Sequence, residues 1–404
     1  MSRNTARILT VAPSLLLLPA ASTRAASTRA ANETAPSFVD LNFAHAASQY
    51  TRMLTALRDD PGLPRSLDEK GKVATVDPRD WTSGFFPGSL WLIYEHTRDE
   101  KWKQAAADYT ARLESIKTYD GTHDLGFMLG CSFGQGYRLT RDPAYREVLL
   151  TGAQTLATRF NEKTGTIRSW DFGPWKFPVI VDNMMNLELL TWASREGGAM
   201  ELMHIALKHA DTTELHHFRP DGSSFHLVDY DPQTGAVLGK QTVQGAADPS
   251  AWARGQAWGL YGYTAMFRET REPAYLTRAL SIADYLVKHP RLPADAVPYW
   301  DFDAPGIPNV PRDSSAAAIM SSALFELAGF SDAERAATYR TMAAKQLRSL
   351  ASPAYRAGVG ANGGFILMHA TGHHPEGREI DMPLVYGDYY FLEALTRFEA
   401  ALQR

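Results

Sequence analysis

Gly259-Leu-Tyr-Gly-Tyr-Thr-Ala-Met-Phe-Arg-Glu-Thr-Arg-Glu-Pro-Ala-Tyr275 runs as a Gly-rich apolar segment, a Thr-Arg-acid step, and a second segment opened by Pro-Ala-Tyr. The same order recurs in Gly88-Ser-Leu-Trp-Leu-Ile-Tyr-Glu-His-Thr-Arg-Asp-Glu-Lys-Trp102 and in Gly134-Gln-Gly-Tyr-Arg-Leu-Thr-Arg-Asp-Pro-Ala-Tyr145. An acid followed by proline marks a helix start, because proline at the first helical position gives up an N–H that has no intrahelical partner. Each copy therefore reads as a helical hairpin, and recurring hairpins imply an architecture built by stacking one unit on the next.

Outward from these copies, small-residue-rich apolar segments recur near 84–97, 126–140, 183–195, 255–269, 315–329 and 387–400. They alternate with amphipathic segments near 38–58, 99–117, 142–160, 198–211, 272–289 and 332–350. The second set carries one-sided stripes, such as Trp102, Ala105, Ala106, Tyr109, Leu113 and Ile116, at helical spacing. A helix apolar all round belongs inside and a one-sided helix outside. Six of each predict an all-α fold, a closed (α/α)6 barrel of six helical hairpins. An open solenoid uses the same units, and periodicity does not separate the two. No Pro- or Ser-rich linker interrupts the chain after its leader, so residues 32–404 are expected to form a single domain.

The 404 residues are 45% hydrophobic and 21% charged, enough to bury a large core. A net charge of −4 supplies no basic field for a phosphate backbone, so no nucleic acid partner is expected. Cys131 is the single cysteine, which rules out an internal disulfide, and no Cys/His set of zinc spacing surrounds it. In the pairs His216-His217 and His373-His374, adjacent side chains do not face one ligand, so no metal and no other cofactor is expected. Arg3 and Arg7 precede an apolar run over 8–21 and small residues up to Ala31, the order of a secretory signal peptide. Residues 1–31 are thus expected to direct export, to the periplasm or to the outside of the cell. The apolar run falls short of the roughly 20 residues a spanning helix needs, so the mature chain is expected to have no membrane segment. No feature marks an obligate protein partner.

Polar and aromatic residues gather just ahead of the apolar segments: Trp81-Thr-Ser-Gly-Phe-Phe-Pro-Gly88, His123-Asp-Leu-Gly-Phe127, Asp182-Asn-Met-Met-Asn186, Ser250-Ala-Trp-Ala-Arg-Gly-Gln256, Arg312-Asp-Ser-Ser315 and Tyr386-Gly-Asp-Tyr-Tyr390. In an alternating barrel all of these points lie at one end and rim one concave site. Asp124 and Asp182 both stand in apolar surroundings. As helix N-caps they would be held ionised by free amides. As an acid–base pair, one would be pushed towards neutrality by burial and by the charge of the other. Taken singly, Trp81, Trp252 and Trp258 read as core aromatics, His226 as a satisfied histidine, and Arg254 as half of an ion pair.

With Gln244-Gly245, Trp252-Ala-Arg-Gly-Gln-Ala-Trp258 and Gly387-Asp-Tyr-Tyr-Phe-Leu-Glu-Ala-Leu395, these motifs occur in an order that resembles glycoside hydrolase family 88, the unsaturated glucuronyl hydrolases. The resemblance covers nearly all of residues 38–404, and five motifs in register make it specific. It implies an (α/α)6 barrel and a metal-free hydrolysis that starts at the C4=C5 double bond left by polysaccharide lyases. By position, Asp182 is implied as the proton donor to carbon 4 and as the group that activates water for carbon 5. Asp124 is implied as its paired carboxylate, which positions substrate and steadies oxocarbenium-like charge. Trp81, His123, His226, Thr242, Gln244, Trp252, Arg254 and Trp258 fall at positions implied for substrate. Among these, Arg254 would fork onto the substrate carboxylate, Gln244 and His226 would bond ring hydroxyls, the tryptophans would stack on sugar faces, and His123 would orient Asp124.

The stretch Thr371–Pro383 falls where the family places a loop that reads sulfate or the next sugar; it has no Lys, but holds Arg378 and two histidines. The implied partner is an unsaturated uronic-acid oligosaccharide of glycosaminoglycan type. The alternatives are an unsaturated rhamnogalacturonyl hydrolase acting on pectin fragments, and a non-catalytic carbohydrate-binding protein whose aspartates are caps. Sugar 2-epimerases share a similar barrel but use histidine bases, and an aspartate pair without paired histidines argues against them.

Overall fold

In the computed structural model, which describes residues 37–403, the Thr-Arg-acid step is a joint between two helices. The hydroxyls of Thr97, Thr140 and Thr270 donate to the carbonyls four residues back. Each also accepts the backbone N–H of the acid that follows, Asp99, Asp142 and Glu272. Between them Arg98, Arg141 and Arg271 take left-handed backbone, with φ of 56°, 59° and 63°. That conformation turns the chain out of the helix and lets the arginine N–H close the last turn. Asp99 and Asp142 then cap the next helix, and Pro143 and Pro273 open theirs.

Twelve α-helices follow in order among the described residues: α1 (Phe38–Ala56), α2 (Phe85–Thr97), α3 (Glu100–Ala111), α4 (Gln135–Thr140), α5 (Pro143–Ala157), α6 (Leu187–Arg195), α7 (Met200–His217), α8 (Ala253–Thr270), α9 (Pro273–Lys288), α10 (Ser314–Leu327), α11 (Ala333–Leu350) and α12 (Val385–Leu402). Gly126–Gly134, wound wider than an α-helix in π fashion, runs straight into α4, and a tight 3-10 segment, Val181–Asn186, leads into α6. The even-numbered helices with these lead-ins form the inner ring. Each packs on the next, and α12 returns to α2. The ring is closed, so the fold is the (α/α)6 barrel and not the open solenoid.

The sequence explains which helices go inside. In α10, Ser-Ser-Ala-Ala-Ala-Ile-Met-Ser-Ser-Ala-Leu-Phe-Glu-Leu, every residue but Glu326 is buried, and its small side chains let neighbouring helices approach. A Cβ at Gly84 would sit 2.3 Å from the Met128 carbonyl oxygen, so only glycine lets the start of α2 lie against the π-wound segment. The outer helices bury one stripe each, as α9 does with Tyr275, Ala279, Ile282, Ala283 and Leu286.

Short antiparallel strands lie outside the ring: β1 (Leu63–Leu67) with β2 (Val73–Val76), β3 (Phe160–Asn161) with β4 (Thr166–Ile167), the sheet β5 (Pro178–Ile180), β6 (Leu227–Tyr230) and β7 (Val237–Gln241), and β8 (Ala370–His373) with β9 (Arg378–Met382). At two to five residues each they are too short to leave an alternating pattern in the sequence.

The described residues belong to one compact unit, and none of their helices is long and apolar enough to cross a membrane. The expected export leader, residues 1–31, lies outside the described residues. Asp388 fastens the end of the chain to its beginning: its carboxylate accepts the Ile366 and Leu367 amides, each at 2.9 Å, and the Tyr50 hydroxyl at 3.2 Å. Asp388→Ala leaves these buried donors unpaired, and denaturant titration is expected to show a loss of about 2–3 kcal/mol.

Candidate active site

A cavity of about 630 Å³ opens at the end of the barrel where the inner helices begin. Asp124, Asp182, Trp81, His123, His226, Gln244 and Arg254 all line it. Strand pairing brings several of them together. Pairing of β5 with β6 sets Ile180 opposite Leu227, and the Val181 amide donates to the His226 carbonyl at 2.9 Å. Asp182 and His226 thus emerge side by side, with His226 Nε2 3.5 Å from Asp182 Oδ2. Pairing of β6 with β7 puts Leu227 opposite Gln241, and a turn from Thr242 to Gly245 delivers Gln244 to the same cavity.

Asp124 comes from the turn ahead of the π-wound segment. Thr122 Oγ1 donates to its Oδ2 at 2.7 Å, and His123 Nε2 lies 3.1 Å from its Oδ1. His123 Nδ1 faces the Ser169 carbonyl at 2.8 Å, so Nδ1 carries a hydrogen and the ring is fixed in place beside Asp124. Ser169 reaches the turn that carries Asp182 as well, since its hydroxyl donates to Asn183 Oδ1 at 2.7 Å and accepts the Ile180 amide at 2.9 Å. Neither Asp124 nor Asp182 caps a helix: Asp124 stands two residues ahead of the π-wound segment, Asp182 lies inside the 3-10 segment Val181–Asn186, and neither segment begins with a side-chain cap bond. The capping reading therefore fails for both.

Electrostatics separate the two carboxyls. Asp182 is 8% exposed, and its pKa is pushed up to about 7. Burial is the main cause; the Arg254 guanidinium opposes it, and the charge of Asp124 adds to the rise. Burial also holds His226 well below the ordinary histidine range and His123 below it. Both rings thus stay neutral near pH 7, and Arg254 is the main cation acting on Asp182.

Arg254, in the first turn of α8, is itself pinned. Its Nη1 lies 3.1 Å from Asp313 Oδ2, with both side chains buried, and also meets the Thr371 carbonyl. Its Nη2 donates to Gln244 Oε1 at 3.1 Å and to the Gly372 carbonyl. The fork expected for a substrate carboxylate is engaged with the protein here, so Arg254 serves the cavity as a fixed positive charge, with only Nε–H unpaired among its donors.

Three expected substrate contacts do not line the cavity. Thr242 is buried and turned to the Asp248 carbonyl at 2.8 Å. Trp252 backs the wall, its ring 4.9 Å from that of His226 and 4.5 Å from the Arg254 guanidinium carbon. Trp258 is a full turn deeper in α8, packed at 5.0 Å on Phe127 and 5.3 Å on Tyr390. The structure instead adds residues that sequence reasoning missed. Trp170, Phe172 and Trp175 come from an irregular loop, with Trp170 and Phe172 stacked at 5.4 Å and Phe172 70% exposed on the rim. Arg65 also lines the cavity, and ties Asp80 to Glu379 and so β1 to β9. The cluster of aromatics with Gly-Pro in Ser169-Trp-Asp-Phe-Gly-Pro-Trp175 was the available signal for the loop.

Among the histidine pairs, His217 bonds the Val179 carbonyl at 3.0 Å while His216 packs on Tyr230. His373 and Arg378 reach the cavity, whereas His374 stacks on Trp300 at 4.0 Å. A second cavity of about 480 Å³ lies among the later turns of the inner helices, and Phe127 lines both. Among its charged groups Arg138 pairs with Glu95 and Arg397 with Glu393.

A closed (α/α)6 barrel whose mouth brings Asp124 and Asp182 into one cavity rimmed by aromatic rings is the frame of a glycosidase. The chain belongs to Glycosyl Hydrolase Family 88, whose model matches residues 65–396. An unsaturated glucuronyl hydrolase of Formosa agariphila is 50% identical over 341 residues, 83% of this chain and 84% of that one. A crystal structure of an unsaturated glucuronyl hydrolase specific for heparin superposes with a TM-score of 0.86 at 45% identity, covering 90% of this chain and 98% of its own. A mutant Streptococcus agalactiae unsaturated glucuronyl hydrolase complexed with dGlcA-GalNAc6S superposes at 0.74 and 28% identity, covering 89% of this chain and 91% of its own.

Because the charge of Asp124 contributes to the raised proton affinity of Asp182, Asp124→Asn is expected to lower the titration midpoint of Asp182 below about 7. Carboxyl carbon NMR of labelled protein, which needs no turnover, checks this.

Proposed function

We propose that the protein removes the 4,5-unsaturated uronic acid from lyase-generated glycosaminoglycan oligosaccharides by protonating and hydrating its double bond. The observation that carries this reading is a carboxyl with a pKa of about 7 sharing one cavity with a second carboxyl and a ring of aromatic side chains. An enol ether is electron-rich at carbon 4, so the first need is a neutral acid there, which Asp182 supplies near neutral pH. As the proton transfers, positive charge builds at carbon 5 and the ring oxygen, where Asp124 stabilises it. Water then adds to carbon 5 and gives its proton to the Asp182 carboxylate, restoring the acid. The resulting hemiketal opens, expelling the remaining sugar and leaving a keto acid. No step needs a metal. Among the described residues one group has metal-ligand spacing, Glu162, Glu201 and His204, and it is exposed and outside the cavity.

The glycosaminoglycan assignment draws on the relatives described as specific for heparin and as complexed with dGlcA-GalNAc6S. On the cavity wall Arg65 is paired with Asp80 and Glu379 and Arg378 with Glu376, so the assignment to acidic fragments rests on the relatives. We place the protein in an exported compartment on the strength of its leader, where lyase products are available without uptake.

A panel of lyase-made unsaturated disaccharides is expected to lose the ultraviolet absorbance of the conjugated acid on incubation, with heparin- or chondroitin-derived members preferred over unsaturated rhamnogalacturonyl fragments. Asp182→Asn abolishes turnover without unfolding the protein; substantial residual activity overturns the role of Asp182. Since the donor works only while protonated, kcat/KM is expected to fall above about pH 7 by about tenfold per pH unit.

A further inference from the structure

We propose that Asn186 is a positioning residue that fixes the separation of Asp124 and Asp182 across the cavity by clasping the two turns that carry them. The inference rests on the assignment of those two aspartates made above.

The clasp has two parts. Asn186 Oδ1 accepts the Phe127 amide at 2.9 Å, in buried surroundings, across 59 positions of sequence. Phe127 follows Asp124 by three residues and stands in the first turn of the π-wound segment, where backbone amides lack intrahelical partners. The side chain of Asn186 therefore does for this segment what a cap would do, but from a different hairpin. The second part is steric. A Cβ on Gly126 would lie 2.5 Å from Asn186 Cα and 2.7 Å from its Oδ1, closer than real Cβ contacts come. The turns touch there with no room for a side chain, so their spacing is set by contact on one side and by a hydrogen bond on the other. Ser169 adds a more remote tie, from His123 to Ile180 and Asn183.

Separation matters because the two carboxyls act on each other through space. The charged groups acting on Asp182 are Arg254 of α8 and Asp124 of the first turn, with the ring of His226, ahead of β6, 3.5 Å from its Oδ2 and His123 and His373 facing that ring in turn. The histidines are neutral and Arg254 is held by Asp313. The distance to Asp124 is thus the charge term most open to adjustment, and Asn186 sits where it is adjusted. For two charges about 5 Å apart at an effective dielectric of about 20, each ångström of added separation shifts the titration by about 0.4 pH unit.

The test is the pH profile of kcat and KM for Asn186→Ala, Asn186→Ser and Gly126→Ala, measured on the unsaturated disaccharide that the wild type turns over fastest, with thermal unfolding in parallel. Freeing the clasp lets like charges move apart, so the alkaline limb is expected to move acidward by a few tenths of a pH unit, kcat to fall about 10- to 100-fold, and KM to stay within about threefold. Asn186→Asp, which keeps the acceptor for Phe127 and adds a charge beside the pair, is expected to move the limb the other way. A limb that stays in place, or a loss of kcat that only follows the folded fraction, overturns the inference. If Asn186→Ala does not fold, the serine variant and Gly126→Ala carry the same readout. Failure of the underlying assignment looks different: the wild type then has no limb near pH 7, or Asp182→Asn stays active.

Discussion

The burial of inner helices such as α8 and α10 on nearly every side governs what this molecule can do. A helix such as α10 has no face left for polar chemistry, so polar side chains that act on a ligand are confined to the ends of the ring and to the segments that feed it. At the start of each inner helix the chain arrives from outside, and there the family-like motifs sit. A closed ring also forces those arrivals to converge. The joints at the other end converge equally, but there Arg138 pairs with Glu95 and Arg397 with Glu393, whereas Asp182 Oδ2 is left without a hydrogen-bond partner.

Convergence alone would leave two aspartates in one cavity without giving them different tasks. The difference arises from their surroundings. Asp124 receives a hydroxyl hydrogen bond from Thr122, while Asp182 is buried beside a histidine too deeply desolvated to hold a charge. The small sheet β5–β6–β7 makes that arrangement possible, because its register places Asp182, His226 and Gln244 on adjoining strands or just beyond them. A minor element by length thus organises most of the chemistry.

Much of this is legible in the chain. The hairpin repeats, the inner and outer sets, and the common end for Asp124, Asp182 and Arg254 follow from helical period and alternation, whereas His226 and Gln244 are implied only by the family resemblance. Facing within a motif is another matter. Trp252, Arg254 and Trp258 lie within seven residues, yet only Arg254 reaches the cavity, because two of the three point into packing that periodicity does not describe. Trp170, Phe172 and Trp175 stand in a loop with no period at all. Arg254 shows a further gap: residue type announces a forked donor, but not that Asp313 and two carbonyls already occupy the fork. Asn186 was in plain view within Asp182-Asn-Met-Met-Asn186, and its partner amide, 59 residues away, was not.

The three arginines held in left-handed backbone, Arg98, Arg141 and Arg271, have a consequence of their own. A residue with a Cβ sits there at a cost of about 1 kcal/mol that glycine would not incur, and these joints lie at the far rim from the aspartates. Part of the molecule's stability can consequently be adjusted at the pole away from the aspartates. Hardening the molecule against heat by refitting those corners should leave its appetite for substrate untouched.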